Sequence, residues 1–245
     1  MDKNSLLRKS LAKIMIEHID QIKSIVAFHI SPAITIKTDG SPVTALDLAL
    51  SEYVESVVKE EMNPALTFYS EEKYDIWKFP LLALDPLDGT KEFIAKRPEW
   101  AVSIGLLEAE TFKGEGWIFN PMTDECFSEE SLKAFSQKTC YAGEVSRSEW
   151  EKGLFTHNNG VTFKVAPMGS IAYKLGRLSA GKTDFVISLR PKNIWDIAGG
   201  TLLCHKAGYK FYSQGQEVSK VQKLYQPPLI WCHESLISEL SAQFS

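Results

Sequence analysis

The sequence predicts an α+β fold, on three observations. Apolar residues recur at helical spacing over about residues 5–28 and again from about Thr44 to Met62. Short apolar runs bounded by turn residues follow between Leu66 and Ser128 and read as strands of a mixed sheet. From about Thr162 to Gln243 strand and helix patterns alternate, which suggests a layered second half.

In the first helix Leu7, Leu11, Ile14, Ile19, Ile22 and Val26 form one stripe, so the segment reads as a single amphipathic helix. Ser31-Pro32 breaks it. A polar turn, Lys37-Thr38-Asp39-Gly40-Ser41-Pro42, precedes the second helix and places Thr44 and Asp47 at its start, and Asn63-Pro64 closes it. Leu66 to Tyr69 is a strand ending in Ser70-Glu71-Glu72. Phe79 to Leu84 is a buried strand that stops at Asp85-Pro86-Leu87-Asp88-Gly89-Thr90. Strands over Ala101–Leu107, Gly116–Phe119 and Glu125–Ser128 follow, the last two joined by Asn120-Pro121. The second half reads as strand 162–165, helix 171–180, strand 184–188, helix 196–207, strand 209–212 and a last strand–helix pair. The weakly patterned stretch from Lys133 to Gly160 is the expected seam between an N-terminal half, 1–135, and a C-terminal half, 136–245, of one compact unit.

Composition narrows the function. Hydrophobic residues at 44% and charged residues at 24% of 245 exclude a disordered chain or a coiled coil. With 27 basic against 31 acidic residues the net charge is −4, so nothing advertises a nucleic acid polymer or an anionic membrane, and any phosphate must be held locally. No stretch approaches the roughly 18 apolar residues of a membrane span, and the N-terminus has no apolar signal core, so a cytoplasmic protein is expected. Cys126, Cys140, Cys204 and Cys232 lie far apart, which argues against a zinc site and a disulfide framework. None of the five histidines falls in a motif; His205 and His233 read as structural.

Taken singly, Glu71, Asp85 and Asp88 are ordinary strand-end and turn residues. Together they are crowded carboxylates at one sheet edge, whose ionised forms repel and need a cation. Oxygen ligands without thiol or imidazole select Mg²⁺ or Mn²⁺, and Mg²⁺ leans on substrate phosphate. The backbone at Gly89-Thr90 can offer N–H groups to that phosphate.

These residues carry a resemblance. Asp85-Pro86-Leu87-Asp88-Gly89-Thr90-Lys91-Glu92-Phe93 and Trp195-Asp196-Ile197-Ala198-Gly199-Gly200 resemble, in order and spacing, the two signatures of the inositol monophosphatase superfamily. The segment from Lys37 through Asp47 and Ser70-Glu71-Glu72 fit two further motifs, so the resemblance spans nearly the whole chain. It implies a layered α-β-α-β-α sugar-phosphatase fold with metal ions between the halves. Thr90-Lys91-Glu92-Phe93, Ser70-Glu71-Glu72 and Asn193-Ile194-Trp195-Asp196 look like the CysQ-type branch, which hydrolyses 3′(2′),5′-bisphosphate nucleotides such as adenosine 3′,5′-bisphosphate to AMP and phosphate. Two departures concern substrate recognition. Ser146-Arg147-Ser148-Glu149 lacks the histidine that often follows such a loop, and Lys174 sits one place later than in nucleotidase relatives.

Carried over residue by residue, the resemblance implies that Glu71, Asp85 and the Leu87 carbonyl hold one Mg²⁺ and that Asp85, Asp88 and Asp196 hold a second, in a site of two or three ions. It implies that Thr90 and Asp47 orient the attacking water. Gly89, Thr90, Asp196, Ser170, Lys174 and Arg190 are candidates for gripping substrate. The bland alternatives are a first-turn carboxylate for Asp47, a helix N-cap for Asp196, a packing anchor for Trp195 and a solvated helix face for Lys174. Tyr69, Phe93 and Trp100 read as core. The implied activity is Mg²⁺-dependent phosphomonoester hydrolysis of a small phosphorylated substrate, with inositol 1-phosphate as the rival. A phospholigand-binding protein without turnover is the reading from another class. A homodimer is compatible with the sequence, which carries no signal for oligomeric state.

Overall fold

The computed structural model describes residues 9–29, 34–36, 42–71, 77–155 and 162–244. Leu7, the Ser31-Pro32 break, the Lys37 to Ser41 part of the polar turn, Glu72 and Gly160 lie outside the described residues.

The chain opens with α1 (Leu11–Glu17) and α2 (Ile19–Phe28), followed by the hairpin β1 (Ile34–Ile36) and β2 (Pro42–Thr44) and the long α3 (Ala45–Glu61). The expected single first helix is thus two. His18 breaks it at φ −104°, ψ 3°, with one ring nitrogen 2.5 Å from the Tyr53 hydroxyl and the other 2.6 Å from Glu61 Oε1, so α3 pins the break from its side. A five-stranded sheet follows in the order β3 (Thr67–Ser70), β4 (Leu81–Asp88), β5 (Ala101–Leu107), β6 (Gly114–Asn120) and β7 (Glu125–Phe127); β3 and β4 pair in parallel, the rest antiparallel. A short α4 (Thr90–Ile94) joins β4 to β5.

The second half has β8 (Tyr141–Ser146), α5 (Arg147–Trp150), β9 (Phe163–Met168), α6 (Ile171–Ser179), β10 (Phe185–Ser188), β11 (Lys192–Asn193), α7 (Ile194–Lys206), β12 (Lys210–Ser213), β13 (Gln216–Glu217), β14 (Leu224–Tyr225), β15 (Leu229–Cys232) and α8 (Ile237–Phe244). Six of these strands form one sheet in the order β13-β12-β15-β10-β8-β9. Strand β8 lies within the stretch that showed no clear pattern. Its Gly143 offers no side chain because the Phe185 ring fills that space, 2.1 Å from where a Cβ would stand.

Five layers result. Helices α1 to α3 cover one face of the first sheet through Leu50, Val54, Leu82, Leu84, Val102 and Trp117. The other face, with Leu81 and Ala83, packs on Leu175 of α6 and Ile197, Ala198 and Leu202 of α7, which also meet Val186, Leu229 and Trp231 of the second sheet. Beyond that sheet α8 adds Leu240 and Phe244 against Phe185, Ile187 and Ile230. Between α7 and the first sheet glycines set the distance. A Cβ on Gly116 would stand 2.2 Å from the Gly199 carbonyl, and one on Gly105 would stand 2.6 Å from the Ala198 Cβ. Among the described residues no helix is long and apolar enough to cross a membrane.

Candidate active site

Strand periodicity delivers the first carboxylate. Alternation along β4 puts Leu81, Ala83 and Asp85 on the face toward α7, and Leu82 and Leu84 on the face toward α3. The strand does not stop before Asp85, as the sequence suggests, but runs on to Asp88 with a register shift between the two aspartates. That irregularity turns Leu87 into the α3-side core and frees Asp88 for the cavity. Gly89 then takes φ +103°, a conformation L side chains avoid, and a Cβ there would meet the Trp100 Cβ at 2.9 Å.

A cavity of about 300 Å³ opens at this point between the two halves. Glu71, Asp85, Leu87, Asp88, Gly89, Thr90, Ser170, Lys174 and Asp196 all line it, as do Glu92, Ser146, Arg147, Ser148, Ser188 and Lys192. Arg190 is exposed and does not line it. Asp47 stands behind the wall. Its Oδ2 accepts from the Thr44 N–H at 2.7 Å and the Thr44 hydroxyl at 2.6 Å, closing the first turn of α3, and its Oδ1 accepts from the Thr90 hydroxyl at 3.4 Å. The helix-start role and the Thr90 pairing therefore coexist in one carboxylate.

Asp196 combines roles in the same way. The helix begins at Ile194, two residues earlier than its sequence pattern implies, so Asp196 is its third residue and Asn193 its N-cap; the Asn193 N–H donates to Asp196 Oδ2 at 2.9 Å. Trp195 is a packing anchor, its ring 5.3 Å from that of Tyr69. Tyr69, Phe93 and Trp100 are buried.

Asp88 is already engaged: its Oδ2 accepts from the Ser170 hydroxyl and from the Ala172 N–H, both at 2.6 Å. Ser170 caps α6 with φ +49°, a strained value for a residue with a side chain, and its hydroxyl also accepts from the Tyr173 N–H. Lys174 lies on no solvated face. It is 2% exposed, and its ammonium donates to the carbonyls of Met168, Gly169 and Ser170 at 3.0–3.1 Å. Burial lowers its pKa to about 8, against the pull of Asp88.

The electrostatics are those of an anionic pit. Burial pushes Asp85 well above the ordinary carboxylate range, and Glu71, Asp88 and Asp196 push it further. Asp196 is raised to about 7, first by burial and then by Asp88 and Glu71, against Lys192. Among the described residues no group of three such side chains is arranged to hold a metal ion as it stands. The carboxylates of Glu71, Asp88 and Asp196 nevertheless act electrostatically on Asp85. The donors fit a hard divalent cation, since the lining carboxylates supply oxygen and no histidine or cysteine side chain faces the cavity among the described residues. A bound cation would relieve the repulsion that now raises Asp85.

Two contributors were not read from the sequence. Glu99 receives Arg147 and the Gly169 N–H, yet stands between Pro98 and Trp100 with nothing to mark it. Glu149 is fully buried and accepts from the Ser188 hydroxyl at 2.9 Å and the Leu189 N–H at 2.8 Å. In the sequence Glu149 is marked only by standing where a histidine often follows such a loop.

Comparison with known proteins bears on the family and the fold. The family model of the inositol monophosphatase family matches residues 7–240. Inositol monophosphatase 3 of Solanum lycopersicum is 28% identical over 202 residues, covering 71% of this chain and 75% of that protein. The 3′(2′),5′-bisphosphate nucleotidase CysQ of Escherichia coli strain K12 is 26% identical over 193 residues, covering 70% and 76%. Among solved structures, an IMPase of Thermotoga maritima superposes with a TM-score of 0.77 at 19% identity over 94% of this chain and 99% of that one, a likeness of fold.

Proposed function

This chain belongs to the inositol monophosphatase family, a class of metal-dependent phosphatases, and from that premise we propose that it hydrolyses the 3′(2′)-phosphate of bisphosphate nucleotides. The observation that carries the reading is the convergence of Glu71, Asp85, Asp88 and Asp196 on one cavity, beside the Thr90–Asp47 pair. The nucleotide preference is supported by the Thr90-Lys91-Glu92-Phe93 signature and by Arg147, Lys91 and Lys192, cations on the rim of an otherwise acidic pit.

Glu71, Asp85, Asp88 and Asp196, with the Leu87 carbonyl, would hold two or three Mg²⁺ ions. Such ions, when bound, acidify water and neutralise charge on phosphate oxygens. The protein's own part is placement. Asp47, fixed by Thr44, holds the Thr90 hydroxyl, whose oxygen also reaches the Leu87 carbonyl at 3.2 Å and is therefore oriented before substrate arrives. Ser170 and the Ala172 N–H hold Asp88 in one rotamer. Orientation of this kind is the protein's main contribution to phosphoryl transfer.

The test is phosphate release with Mg²⁺ from adenosine 3′,5′-bisphosphate and inositol 1-phosphate in parallel. A nucleotide preference in kcat/KM of about a hundredfold, near 2.7 kcal/mol, supports the reading. The reverse preference moves the protein to inositol phosphates with the same ligand set. Asp88→Asn should abolish nearly all turnover while the melting transition survives; retained turnover would overturn the metal-ligand assignment, and tight ligand binding without any phosphate release would favour a binding protein.

A further inference from the structure

Arg147 opens α5 at the end of β8 and lines the cavity. One edge of its guanidinium is occupied. Nε donates to Glu99 Oε2 at 3.2 Å, and Nη2 donates to both Glu99 oxygens at 2.5 Å and reaches the Pro167 carbonyl at 3.4 Å. Among the described residues Nη1 donates to nothing, so its two N–H groups remain for a ligand. Glu99 also accepts from the Gly169 N–H at 2.8 Å, next to Ser170, whose hydroxyl donates to Asp88. The fork is therefore tethered to the segment that holds Asp88.

The other cations of the cavity are unlike it. Lys174 has all three ammonium hydrogens on carbonyls of 168–170. Lys91 is exposed and Lys192 half-buried, and neither has a planar fork that matches phosphate oxygens. Glu149, next but one along the chain, turns inward to Ser188 and Leu189 and does not itself line the cavity. Because Glu99 fixes the guanidinium in advance, little rotamer entropy is lost when a ligand meets its open edge.

We propose that Arg147 is a specificity residue whose open edge binds the second, non-scissile phosphate of a two-phosphate substrate, with Glu99 as its positioning residue. The proposal rests on the phosphatase reading above and names the group that would make a second phosphate favourable.

The experiment compares adenosine 3′,5′-bisphosphate with adenosine 3′-monophosphate, which keeps the scissile group and lacks the other, in the wild type, Arg147→Met, Arg147→Lys and Glu99→Gln. The ratio of the two kcat/KM values should fall about tenfold or more in Arg147→Met and less in Arg147→Lys, which keeps charge without the fork. In Glu99→Gln it should fall mainly through KM for the bisphosphate. Calorimetric binding of AMP, which carries only the non-scissile phosphate, should weaken about tenfold in Arg147→Met. A ratio and an AMP affinity within about twofold of wild type in the folded variants would overturn the assignment. If Arg147→Met does not fold, Arg147→Lys decides. If the wild type turns over neither nucleotide, the nucleotide reading fails while the phosphatase class still stands on inositol 1-phosphate, and AMP binding alone decides the role of Arg147.

Discussion

The Asp47 carboxylate serves two partners at once, closing the first turn of α3 through Thr44 and accepting from the Thr90 hydroxyl. Asp47 and Asp196 look like helix-start carboxylates because they are, and each also faces or supports the cavity. His205 shows how burial, as the largest of several influences, sets a charge state. It packs edge-on against Phe112, with ring centroids 5.4 Å apart, and burial lowers its pKa to about 4, helped by Lys210 and opposed by Glu217. Between about 4 and the ordinary value of 6.5 the unfolded chain takes up a proton that the folded chain refuses. Its contribution to stability is therefore complete above 6.5 and declines as pH falls through that window. We expect the drop in Tm between pH 7 and pH 4.5 to be smaller in His205→Gln than in the wild type; equal drops would show that the imidazole does not titrate in this way. The acidic motifs were legible because their spacing is local. Glu99 was not, because its partners Arg147 and Gly169 lie 48 and 70 residues away.

At the scale of elements, periodicity located α3, β5, α6 and most strands within a few residues, since each buries a regular stripe or face. It failed where tertiary contacts overrule local pattern: at His18, which α3 holds out of a continuous helix, and at β8, where Phe185 supplies the bulk that Gly143 lacks. The approach of α7 to the first sheet was equally invisible, although it brings Asp196 to the cavity. Gly116 tolerates no side chain there, because the obstacle is the Gly199 backbone rather than a movable side chain. Gly116→Ala should cost about 1–3 kcal/mol and lower Tm by several degrees. It should also reduce turnover in protein that is still folded, by moving Asp196 from its partners. Unchanged kinetics alongside a lowered Tm would mean that α7 can shift without disturbing the site.

For the whole molecule, the anionic pit makes folding and ligand occupancy interdependent. Five carboxylates drawn into one cavity oppose the folded state when no cation is present, and a cation that binds only the folded chain stabilises it by mass action. Saturating Mg²⁺, at about a hundred times its dissociation constant, should add about 2.7 kcal/mol. Differential scanning calorimetry with Mg²⁺ and with a chelator should show this as a rise in Tm that Asp85→Asn largely removes; an equal rise in that variant would place the stabilising ion elsewhere. The layered architecture followed from the family resemblance, whereas the join between the halves depends on side chains far apart in sequence. Glu71 to Thr90 lie in the first 90 residues and Asp196 in the last 50 of the 245-residue chain, and only the closing of α7 onto β5 and β6 unites them. A chain made from its N-terminus therefore carries Glu71, Asp85 and Asp88 long before Asp196 exists, and these four carboxylates can share one cavity only after α7 has been made and has docked on the first sheet.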